Sequence, residues 1–508
     1  MIARLHWFCA RAALLFGFLL TLTSLSACSD SEGSGGSAGS GGSGGSEPVE
    51  DGTYFMRDDD GRVVILRGMN IMSQAKGDPE RLPDLTEEDV ERYAQLWGFN
   101  VVRYLIFWDA IEPSPGEYDL EYLNKTEERL DWFAANDIHV ILDMHQDVYS
   151  QYFCCDGAPM WAIEDDGIEF EQNPVWDLNY FHPAVMAAFD NFFDFAGEHS
   201  RLQTHFADSW AVVADRFKDH PSIIGYDILN EPSPGSSLDA SDFTMTPDDG
   251  PAADFDRTLL TDFYQRVIDA IREVDEEAWI LYEPRYAAPA NGQPSFILEL
   301  EDPRQGSPRI VYGPHLYSIS MEFKGAYEPA TDDTLTDWEA NRATELELQK
   351  AHLLIGEWGV DPNWGNAERF MNELLAMSDR MMGSWTYWSY DPGGWGIWTR
   401  GSEGEFVERE NANVVVRPYP RSVAGIPRSF SYDPDTRIFE LAFDPSPSAT
   451  LPSEIYIPES RHYADGWSLT GCEEPQGCSW TWDANLDILR VLTPNQTARV
   501  ELTITPGG

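Results

Sequence analysis

The sequence has very little positive charge. Its 508 residues include only five lysines, and 34 lysines and arginines stand against 87 aspartates and glutamates, for a formal net charge of −53. A surface this acidic repels nucleic acid and anionic lipid headgroups at low salt, so the composition argues against nucleic acid as a partner. Two explanations of the acidity stay equally open. One is a salty habitat whose ions screen the self-repulsion, and the other is ordinary solubility.

Cysteine is also scarce, with six residues and no metal-ligand spacing among them, so no metal site is predicted. Cys472 and Cys478 flank a short loop containing glycine and proline, and in an exported protein this predicts a disulfide. Cys154 and Cys155 are adjacent. The sequence leaves open whether they form a disulfide or stay as free thiols.

The N-terminus has the features of a targeting segment. Arg4 and Arg11 precede a short apolar run over residues 14–25. Leu25-Ser26-Ala27-Cys28 then resembles a bacterial lipobox, in which Cys28 becomes the lipidated first residue. Residues 1–28 are therefore expected to be a lipoprotein signal peptide and its lipobox.

Residues 29–50 are predicted to be a tether. Their Gly/Ser-rich part, residues 31–46, has no residue that could form a core. Signal, lipobox and tether together predict an exported bacterial lipoprotein, held at a membrane by its lipid in the periplasm or at the cell surface. The alternative is a plain secretory signal with a coincidental cysteine.

Eight apolar segments alternate with helical patterns over residues 51–416, which predicts a parallel sheet with helical crossovers. Eight such repeats fit a closed (β/α)8 TIM barrel, and the Rossmann alternative is weaker because no glycine-rich phosphate loop follows the first strand. The predicted strands are residues 63–68, 101–107, 138–144, 223–231, 279–283, 310–317, 353–358 and 384–390.

The pattern changes at about residue 417. Apolar and polar residues alternate with a period of two in short segments of residues 417–508, and turns separate these segments. This predicts a small C-terminal antiparallel β-sandwich. A structural role against the barrel is favoured for it over substrate binding.

Two of the predicted barrel strands deliver a glutamate at their ends. Residues 226–232 read Tyr-Asp-Ile-Leu-Asn-Glu-Pro and place Asn230 and Glu231 where Pro232 stops the strand. Residues 353–359 read Leu-Leu-Ile-Gly-Glu-Trp-Gly and place Glu357 in the same way. Catalytic groups of a TIM barrel lie at this end of its strands, and two carboxyls are the minimum for hydrolysing a glycosidic bond.

These segments resemble glycoside hydrolase family five of clan A, and more narrowly the endoglycoceramidases. The resemblance runs from about residue 53 to the C-terminus and includes the order of barrel and sandwich. The matching residues are Arg67-Gly68-Met69-Asn70, Lys76, Asp143-Met144-His145-Gln146-Asp147-Val148-Tyr149-Ser150, Gly157-Ala158-Pro159, Trp161, Tyr226-Asp227-Ile228-Leu229-Asn230-Glu231-Pro232, His315-Leu316-Tyr317, Glu357-Trp358-Gly359 and Trp388.

The resemblance implies a retaining mechanism, with Glu357 as the nucleophile and Glu231 as the acid/base. It places Asn230 against the sugar 2-hydroxyl and Tyr317 against the nucleophile.

Around this pair, His315 is expected to orient the surroundings of the acid. Arg103 is expected to keep Glu357 ionised, and a buried structural ion pair is the alternative role of Arg103.

Substrate-binding residues are also implied. Lys76, His145 and Asp147 match positions that contact the glycan in endoglycoceramidases, and Trp388 would form an apolar floor for a sugar ring. Trp176 is a weaker candidate for the same stacking role. The lipid part of the substrate would need an apolar groove, for which the candidates are residues 149–181, 235–254, Trp395, Ile397 and Trp398.

The predicted function is a retaining endo-β-glycosidase that cleaves oligosaccharide from ceramide in a glycosphingolipid, with no cofactor. One alternative is a family-five β-glucosidase or endoglucanase that acts on simpler glucosides or β-glucan. The other is a non-catalytic carbohydrate-binding lipoprotein. The oligomeric state stays open.

Overall fold

The computed structural model describes residues 54–447, 450–473, 477–494 and 496–507. The predicted signal peptide with Cys28 and the whole predicted tether lie outside these residues, as residues 1–53 are not described. Within the described ranges, no helix combines the length and apolarity that crossing a bilayer requires.

The predicted barrel is confirmed. After a short strand, β1 (Val63–Val64), eight parallel strands close into a barrel, with the last strand paired to the first. Polar residues face each other in register near the strand ends, Asn70 beside Arg103 and Asp143 beside Asp227. The barrel strands are β2 Arg67–Ile71, β3 Val101–Ile106, β4 His139–Met144, β5 Ile223–Asp227, β6 Trp279–Tyr282, β7 Ile310–Tyr312, β8 His352–Trp358 and β9 Ser384–Tyr387.

Helices connect the strands, and their ends follow from the sequence. At the first, the Thr86 side chain accepts the Asp89 N–H while the Asp89 carboxylate accepts the Thr86 N–H, a capping box. Gly98 ends this helix in the left-handed region at φ 58°. The α-helices are Glu87–Trp97, Trp108–Ile111, Leu120–Ala135, Pro183–Phe193, Ser200–Phe217, Pro251–Phe255, Thr261–Arg272, Ile319–Lys324, Thr334–Gln349, Ala367–Arg380, Ala412–Val415 and Glu459–His462.

The first predicted strand, residues 63–68, is corrected by the structure. Val63 and Val64 pair with the C-terminal region, and the barrel strand starts only at Arg67. One apolar run thus contributes residues to two different sheets. The sequence pattern does not show where the first strand ends and the second begins.

The predicted strands 223–231 and 310–317 are also too long. β5 ends at Asp227, and β7 ends at Tyr312, just before Gly313 and Pro314.

The C-terminal region forms two antiparallel sheets, as predicted. The strands after the barrel are β10 Trp398–Arg400, β11 Phe406–Glu408, β12 Tyr419–Val423, β13 Gly425–Asp433, β14 Ile438–Pro445, β15 Ser453–Tyr456, β16 Trp467–Thr470, β17 Ser479–Asp483, β18 Ile488–Leu492 and β19 Val500–Pro506. One sheet has the strand order β1-β12-β15-β18-β17 and the other β13-β14-β19-β16, while β10 and β11 form a separate hairpin. The paired cysteines Cys472 and Cys478 confirm the predicted disulfide.

The barrel and the C-terminal sheets share a packed boundary. β1 joins the five-stranded sheet although it precedes the barrel in sequence, so this sheet crosses the predicted boundary at residue 416. The Tyr419 hydroxyl donates to the Gly98 carbonyl at 2.9 Å. A Cβ atom at Gly98 would lie 2.0 Å from the Tyr456 ring, so only glycine allows this close approach.

Arg67 connects the barrel to the elements behind it, and its removal is expected to destabilise the fold. Its guanidinium contacts Asp379 at 2.9 Å and lies over the Tyr419 and Phe430 rings. Burial lowers the pKa of Arg67 to about 10 despite Asp379, so the lost hydration is not fully offset by the pairing. Arg67→Met leaves Asp379 as a buried unpaired charge and should cost about 3–5 kcal/mol in urea unfolding.

A double variant separates the charge from the packing. Arg67→Met with Asp379→Leu removes both charges and should recover most of the lost stability. A double variant as unstable as Arg67→Met alone would show that the ring and backbone contacts of Arg67 dominate.

Candidate active site

The polar centre of the barrel is built around Arg103, which β3 places fully inside. Its guanidinium contacts four acidic side chains that come from four other strands or strand ends. The contacts are Nε to Asp227 at 2.8 Å, Nη2 to Asp143 at 2.9 Å, Nη2 to Glu283 at 2.8 Å and Nη1 to Glu357 at 2.8 Å.

The charges in this centre compensate each other. Burial opposes the charge on Arg103, but the surrounding carboxylates raise the pKa of Arg103 well above its usual value. The predicted contact between Arg103 and Glu357 is present, and so is the buried ion-pair network that was its alternative role. Arg103 therefore contacts Glu357 as one member of a buried ion-pair network, and its role in keeping Glu357 ionised stays a prediction.

Glu357 is the penultimate residue of β8 and is buried. Its Oε1 accepts from Arg103 Nη1 at 2.8 Å, and its Oε2 accepts from the Tyr317 hydroxyl at 2.9 Å. Both oxygens thus accept hydrogen bonds, which fix the direction of the carboxylate. This arrangement suits an attacking group.

Glu231 lies beyond the end of β5, in an unusual backbone conformation with φ 42°. Its N–H donates to Glu283 Oε2 at 2.8 Å, and its carbonyl accepts from Gln146 Nε2 at 3.0 Å. The Oε1 atom lies 2.8 Å from His315 Nδ1. The carboxyl is more exposed than that of Glu357, 14% against 7% of the side-chain surface, so it stands nearer the cleft opening.

The two glutamates face each other across His315. A carboxylate oxygen of each and a ring nitrogen of His315 all lie within 4.8 Å of one another. In inverting glycosidases the two carboxyls stand about 6.5–9.5 Å apart to admit a water, and in retaining ones about 5–5.5 Å. With single oxygens this close, the pair is compatible with the short separation of a retaining enzyme.

His315 is held on three sides by acids. Burial opposes its positive charge, but Glu283 and Glu357 raise the pKa of His315 well above its usual value. A Cβ at Gly356 would lie 3.0 Å from His315 Nε2, so the glycine in the β8 motif makes room for the ring.

The Asn230 amide has a defined orientation. Its Oδ1 accepts from Arg103 Nη2 at 3.0 Å, and its Nδ2 donates to the Gln146 carbonyl at 3.0 Å. The second N–H of Nδ2 is the group that can meet a sugar hydroxyl. The predicted position of Asn230 beside the acid is therefore compatible with its predicted role.

Lys76, Asp147, His145 and Trp388, for which the resemblance implied glycan contacts, form a second cluster. Lys76 Nζ contacts Asp147 at 2.6 Å and lies 4.3 Å from the centre of the Trp388 ring. His145 stacks on Trp388 at 5.7 Å, and its Nδ1 lies 2.6 Å from Asp143 Oδ2.

His145 is expected to be neutral, because burial and the charges of Lys76, Arg103 and His315 lower the pKa of His145 well below its usual value. Among the described residues its Nε2 is buried without a hydrogen-bond partner, and the predicted glycan contact of His145 stays a prediction.

One further ion pair and one backbone bridge support this cluster and were not predicted. Arg81 donates to the Lys76 carbonyl and holds Asp109 at 2.6 Å. Asp109 in turn donates its N–H to the Gly157 carbonyl at 2.9 Å. Asp156 is buried beside Asp147, and the two are joined by an isolated backbone bridge.

Replacing Lys76 tests the binding role of this cluster. Lys76→Met should raise the KM for a glycan substrate by about tenfold or more, because it removes a charge-assisted donor and leaves Asp147 unpaired. The kcat should change much less, and steady-state kinetics separate the two. Lys125→Met is the matched control, since Lys125 pairs with Glu80 on the surface. Equal KM values in both variants would contradict a glycan contact.

The structure does not join Trp176 to this centre. It begins the short 3₁₀ helix Trp176–Phe181 and is 40% exposed, and no described contact links its indole to the two glutamates. Its predicted stacking role stays a prediction. From the same insertion, Tyr180 stacks on Tyr286 at 3.9 Å, and Tyr286 donates its N–H to the Pro232 carbonyl at 2.8 Å.

Part of the predicted lipid groove is wrong. Ile397 and Trp398 are buried in the core and cannot line a groove. Trp395 is half-buried and contacts the rings of Tyr317 and Trp364 at 5.9 Å each, so it does stand beside the site. In the insertion, Cys154 and Cys155 are paired as a disulfide, which the sequence left open.

The acidic clusters of the site are in contact with arginine or lysine side chains of the chain itself. Three groups bring histidine or carboxylate atoms within 4.8 Å of one another: Asp143, Asp227 and Glu283; Glu231, His315 and Glu357; His145, Asp147 and Asp156. Arg103 contacts acids of the first two groups and Lys76 contacts the third. The chain itself thus supplies the positive charge that these acids require.

Glu283 is the residue that the sequence analysis missed. It directly follows β6, as Glu231 and Glu357 lie at the ends of their strands, and this position is the signal that could have found it. Burial raises the pKa of Glu283 to about 7, while His315 and Arg103 act in the opposite direction. Asp143 and Asp227 were part of the matched motifs but were given no role.

Comparisons with known proteins agree with this geometry. A family model described as "Cellulase (glycosyl hydrolase family 5)" matches residues 58–394, and one described as "Glycoside hydrolase family 5 C-terminal domain" matches residues 417–505. Endoglycoceramidase I of Rhodococcus hoagii is 30% identical over 432 residues, covering 82% of this chain and 81% of the relative.

Solved structures extend the likeness to three dimensions. Endo-glycoceramidase II from a Rhodococcus species, in complex with ganglioside GM3, is 35% identical with a TM-score of 0.80 and covers 90% of this chain and 100% of its own. The same enzyme as a lactosyl-enzyme intermediate has a TM-score of 0.78 at 35% identity, with the same coverage.

Proposed function

The chain belongs to glycoside hydrolase family 5, and from this membership we propose a retaining endo-β-glycosidase that cleaves between oligosaccharide and ceramide in glycosphingolipids. The observation that carries the proposal is the pair of glutamates at two barrel strand ends, with oxygens within 4.8 Å. The endoglycoceramidase relatives support the substrate class.

In the first step Glu357 attacks the anomeric carbon. The bond from that carbon to the ceramide oxygen breaks, and the proton of Glu231 passes to this oxygen. Arg103 and Tyr317 hold Glu357 by hydrogen bonds to its two oxygens, so the attacking carboxylate is fixed in direction. The product is a glycosyl ester on Glu357 and free ceramide.

In the second step water replaces Glu357. Glu231, now a carboxylate, takes a proton from the water while the hydroxyl bonds to the anomeric carbon, and Glu357 leaves as a carboxylate. His315 Nδ1, 2.8 Å from Glu231 Oε1, stands where it can donate to that carboxylate. Two inversions at one carbon retain the β-configuration.

Lys76, Asp147, His145 and Trp388 support an extended glycan beyond the cleaved bond. Their polar atoms and the tryptophan face belong to one cluster next to the glutamate pair. A sugar ring meets an apolar face on one side and hydrogen-bonding groups at its edge. Such a cluster favours release of an intact oligosaccharide over removal of single sugars.

A lipid anchor at Cys28 is part of the same proposal. The signal-like segment and lipobox motif support it, as does the tether that would separate the barrel from a membrane. An anchored enzyme outside the cytoplasm would meet a lipid substrate at a membrane surface. Metabolic labelling with a fatty-acid analogue, with Cys28→Ala as the control, should label only the native chain.

Mass spectrometry of the products from lactosylceramide in detergent tests the substrate. The expected products are intact lactose and ceramide, formed by the native chain but not by Glu357→Gln. Galactose alone would indicate an exo-acting enzyme. Cleavage of aryl glucosides or soluble β-glucan without any glycolipid product would indicate that the enzyme acts on simpler glucosides or β-glucan instead.

A further inference from the structure

Glu283 is a buried carboxylate that has no part in the two steps described above. We propose that Glu283 is a positioning residue that holds the acid/base Glu231 in place, directly through the Glu231 peptide N–H and indirectly through His315. This inference rests on the proposed role of Glu231, and its experiment is arranged so that the two can fail separately.

Glu283 is itself rigidly held. The Tyr264 hydroxyl accepts its N–H at 3.2 Å and donates to its carbonyl at 2.8 Å, so the backbone is fixed at the end of β6. Its Oε1 accepts from Arg103 Nη2 at 2.8 Å. The carboxylate is only 1% exposed, which leaves it little freedom to turn away. A residue whose backbone and carboxylate are both fixed can hold neighbouring groups in position.

The other oxygen of Glu283 supports the backbone of Glu231. Glu283 Oε2 accepts the Glu231 N–H at 2.8 Å. Glu231 has φ 42°, a left-handed conformation that a residue with a side chain adopts only when its surroundings impose it. Gln146 holds the Glu231 carbonyl from the opposite side at 3.0 Å. The two contacts together direct the side chain of Glu231 into the cleft.

The second connection passes through His315. Its Nε2 lies 3.2 Å from Glu283 Oε1 and its Nδ1 lies 2.8 Å from Glu231 Oε1, so the ring stands between the two glutamates. Gly356 closes the third side, because a Cβ there would lie 3.0 Å from Nε2. Loss of the charge on Glu283 would therefore release both the ring and the carboxyl that it touches.

Asp227 provides a matched comparison. It is as buried as Glu283, and its Oδ2 accepts from Arg103 Nε at 2.8 Å. Its described contacts include Arg103 but neither Glu231 nor His315. If Glu283 served only to balance the guanidinium charge, removing the charge of either acid would have a similar effect.

The experiment measures kcat/KM on two lactosides that differ in their need for protonation. Lactosylceramide has an alkoxide leaving group that must receive a proton from Glu231, and 2,4-dinitrophenyl β-lactoside has one that needs none. In Glu283→Gln, the amide keeps an acceptor for only one of the two donors, Arg103 and the Glu231 N–H. The kcat/KM should fall about 10- to 100-fold on lactosylceramide. On the dinitrophenyl substrate only the loss transmitted through Arg103 to Glu357 remains, so the fall there should be clearly smaller and no larger than that of Asp227→Asn.

The controls decide between the explanations. Asp227→Asn should lower kcat/KM by a similar factor on both substrates, because it acts through Arg103 and hence on Glu357. If Glu283→Gln does the same, the positioning role is wrong and Glu283 is a charge-balancing residue. If Glu283→Gln does not fold, Glu283→Asp keeps the charge, loses the reach to Glu231, and should show the same substrate-dependent loss. A uniform loss or no loss in that variant also overturns the proposal.

Glu231→Gln, measured on the same two substrates, separates this inference from the proposed function. If Glu231→Gln lowers kcat/KM only on lactosylceramide and Glu283→Gln shows no such selective loss, the role of Glu283 alone is rejected. An equal loss on both substrates in Glu231→Gln would reject Glu231 as the acid, and the positioning proposal with it.

Discussion

Glu357→Gln is expected to lower kcat on both glycolipid and activated aryl lactosides by on the order of 10⁵-fold or more. An amide cannot form the glycosyl ester, and a residue that acts as part of a covalent unit accounts for most of the catalysis when it is lost. In this variant the amide oxygen can still accept from Arg103 Nη1, and the amide N–H can donate to the Tyr317 hydroxyl, so the fold should be kept.

The matched control is Glu328→Gln, because Glu328 is exposed and its carboxylate contacts Lys324 and Thr331 on the surface, away from the site. It should leave kcat unchanged. Thermal unfolding of both variants checks that the loss in Glu357→Gln is chemical. A Glu357→Gln enzyme that kept more than about a hundredth of native kcat would contradict its role as the nucleophile.

Glu231→Gln is expected to separate the two steps of the reaction. On lactosylceramide, kcat/KM should fall by about 10²- to 10⁴-fold, because no group remains to protonate the ceramide oxygen. On 2,4-dinitrophenyl β-lactoside the first step should persist, while the second slows because water loses its base. A rapid burst of dinitrophenol should therefore precede slow turnover, and the enzyme should gain the mass of one lactosyl group.

Glu357→Gln is the comparison for this burst, since it removes the site of the covalent bond and should show none. The position of Glu231 supports the expected difference between the variants, because its carboxyl faces His315 near the cleft opening, while Glu357 faces Arg103 deeper in the barrel. A burst in Glu357→Gln together with its absence in Glu231→Gln would indicate that Glu231 is the nucleophile and Glu357 the acid/base.

The sequence predicted the barrel well because its evidence was local. Apolar runs separated by helical patterns and ended by polar residues define eight strands, and the two glutamates at such ends were found in this way. Strand limits were less certain. β5 ends at Asp227, although hydrogen bonds from Ile228 and Asn230 to neighbouring strands continue its direction.

The missed features depend on contacts between distant parts of the chain. Glu283 stands at a strand end like Glu231, but only the folded barrel shows that it shares Arg103 with Glu357 and supports the Glu231 backbone. Similarly, Ile397 and Trp398 resemble groove residues by composition, and packing alone reveals that they are buried. The pairing of β1 with β12 joins residues on either side of the barrel sequence, which no local pattern records.

The most direct test of the proposed mechanism is time-resolved proton NMR of the sugar released from lactosylceramide by the native enzyme. The proposal predicts that intact lactose appears first as its β-anomer and then mutarotates, since two displacements at the same carbon, by Glu357 and by water, retain the configuration. First-formed α-lactose would contradict the covalent role of Glu357. Free galactose without lactose would contradict endo cleavage next to the ceramide.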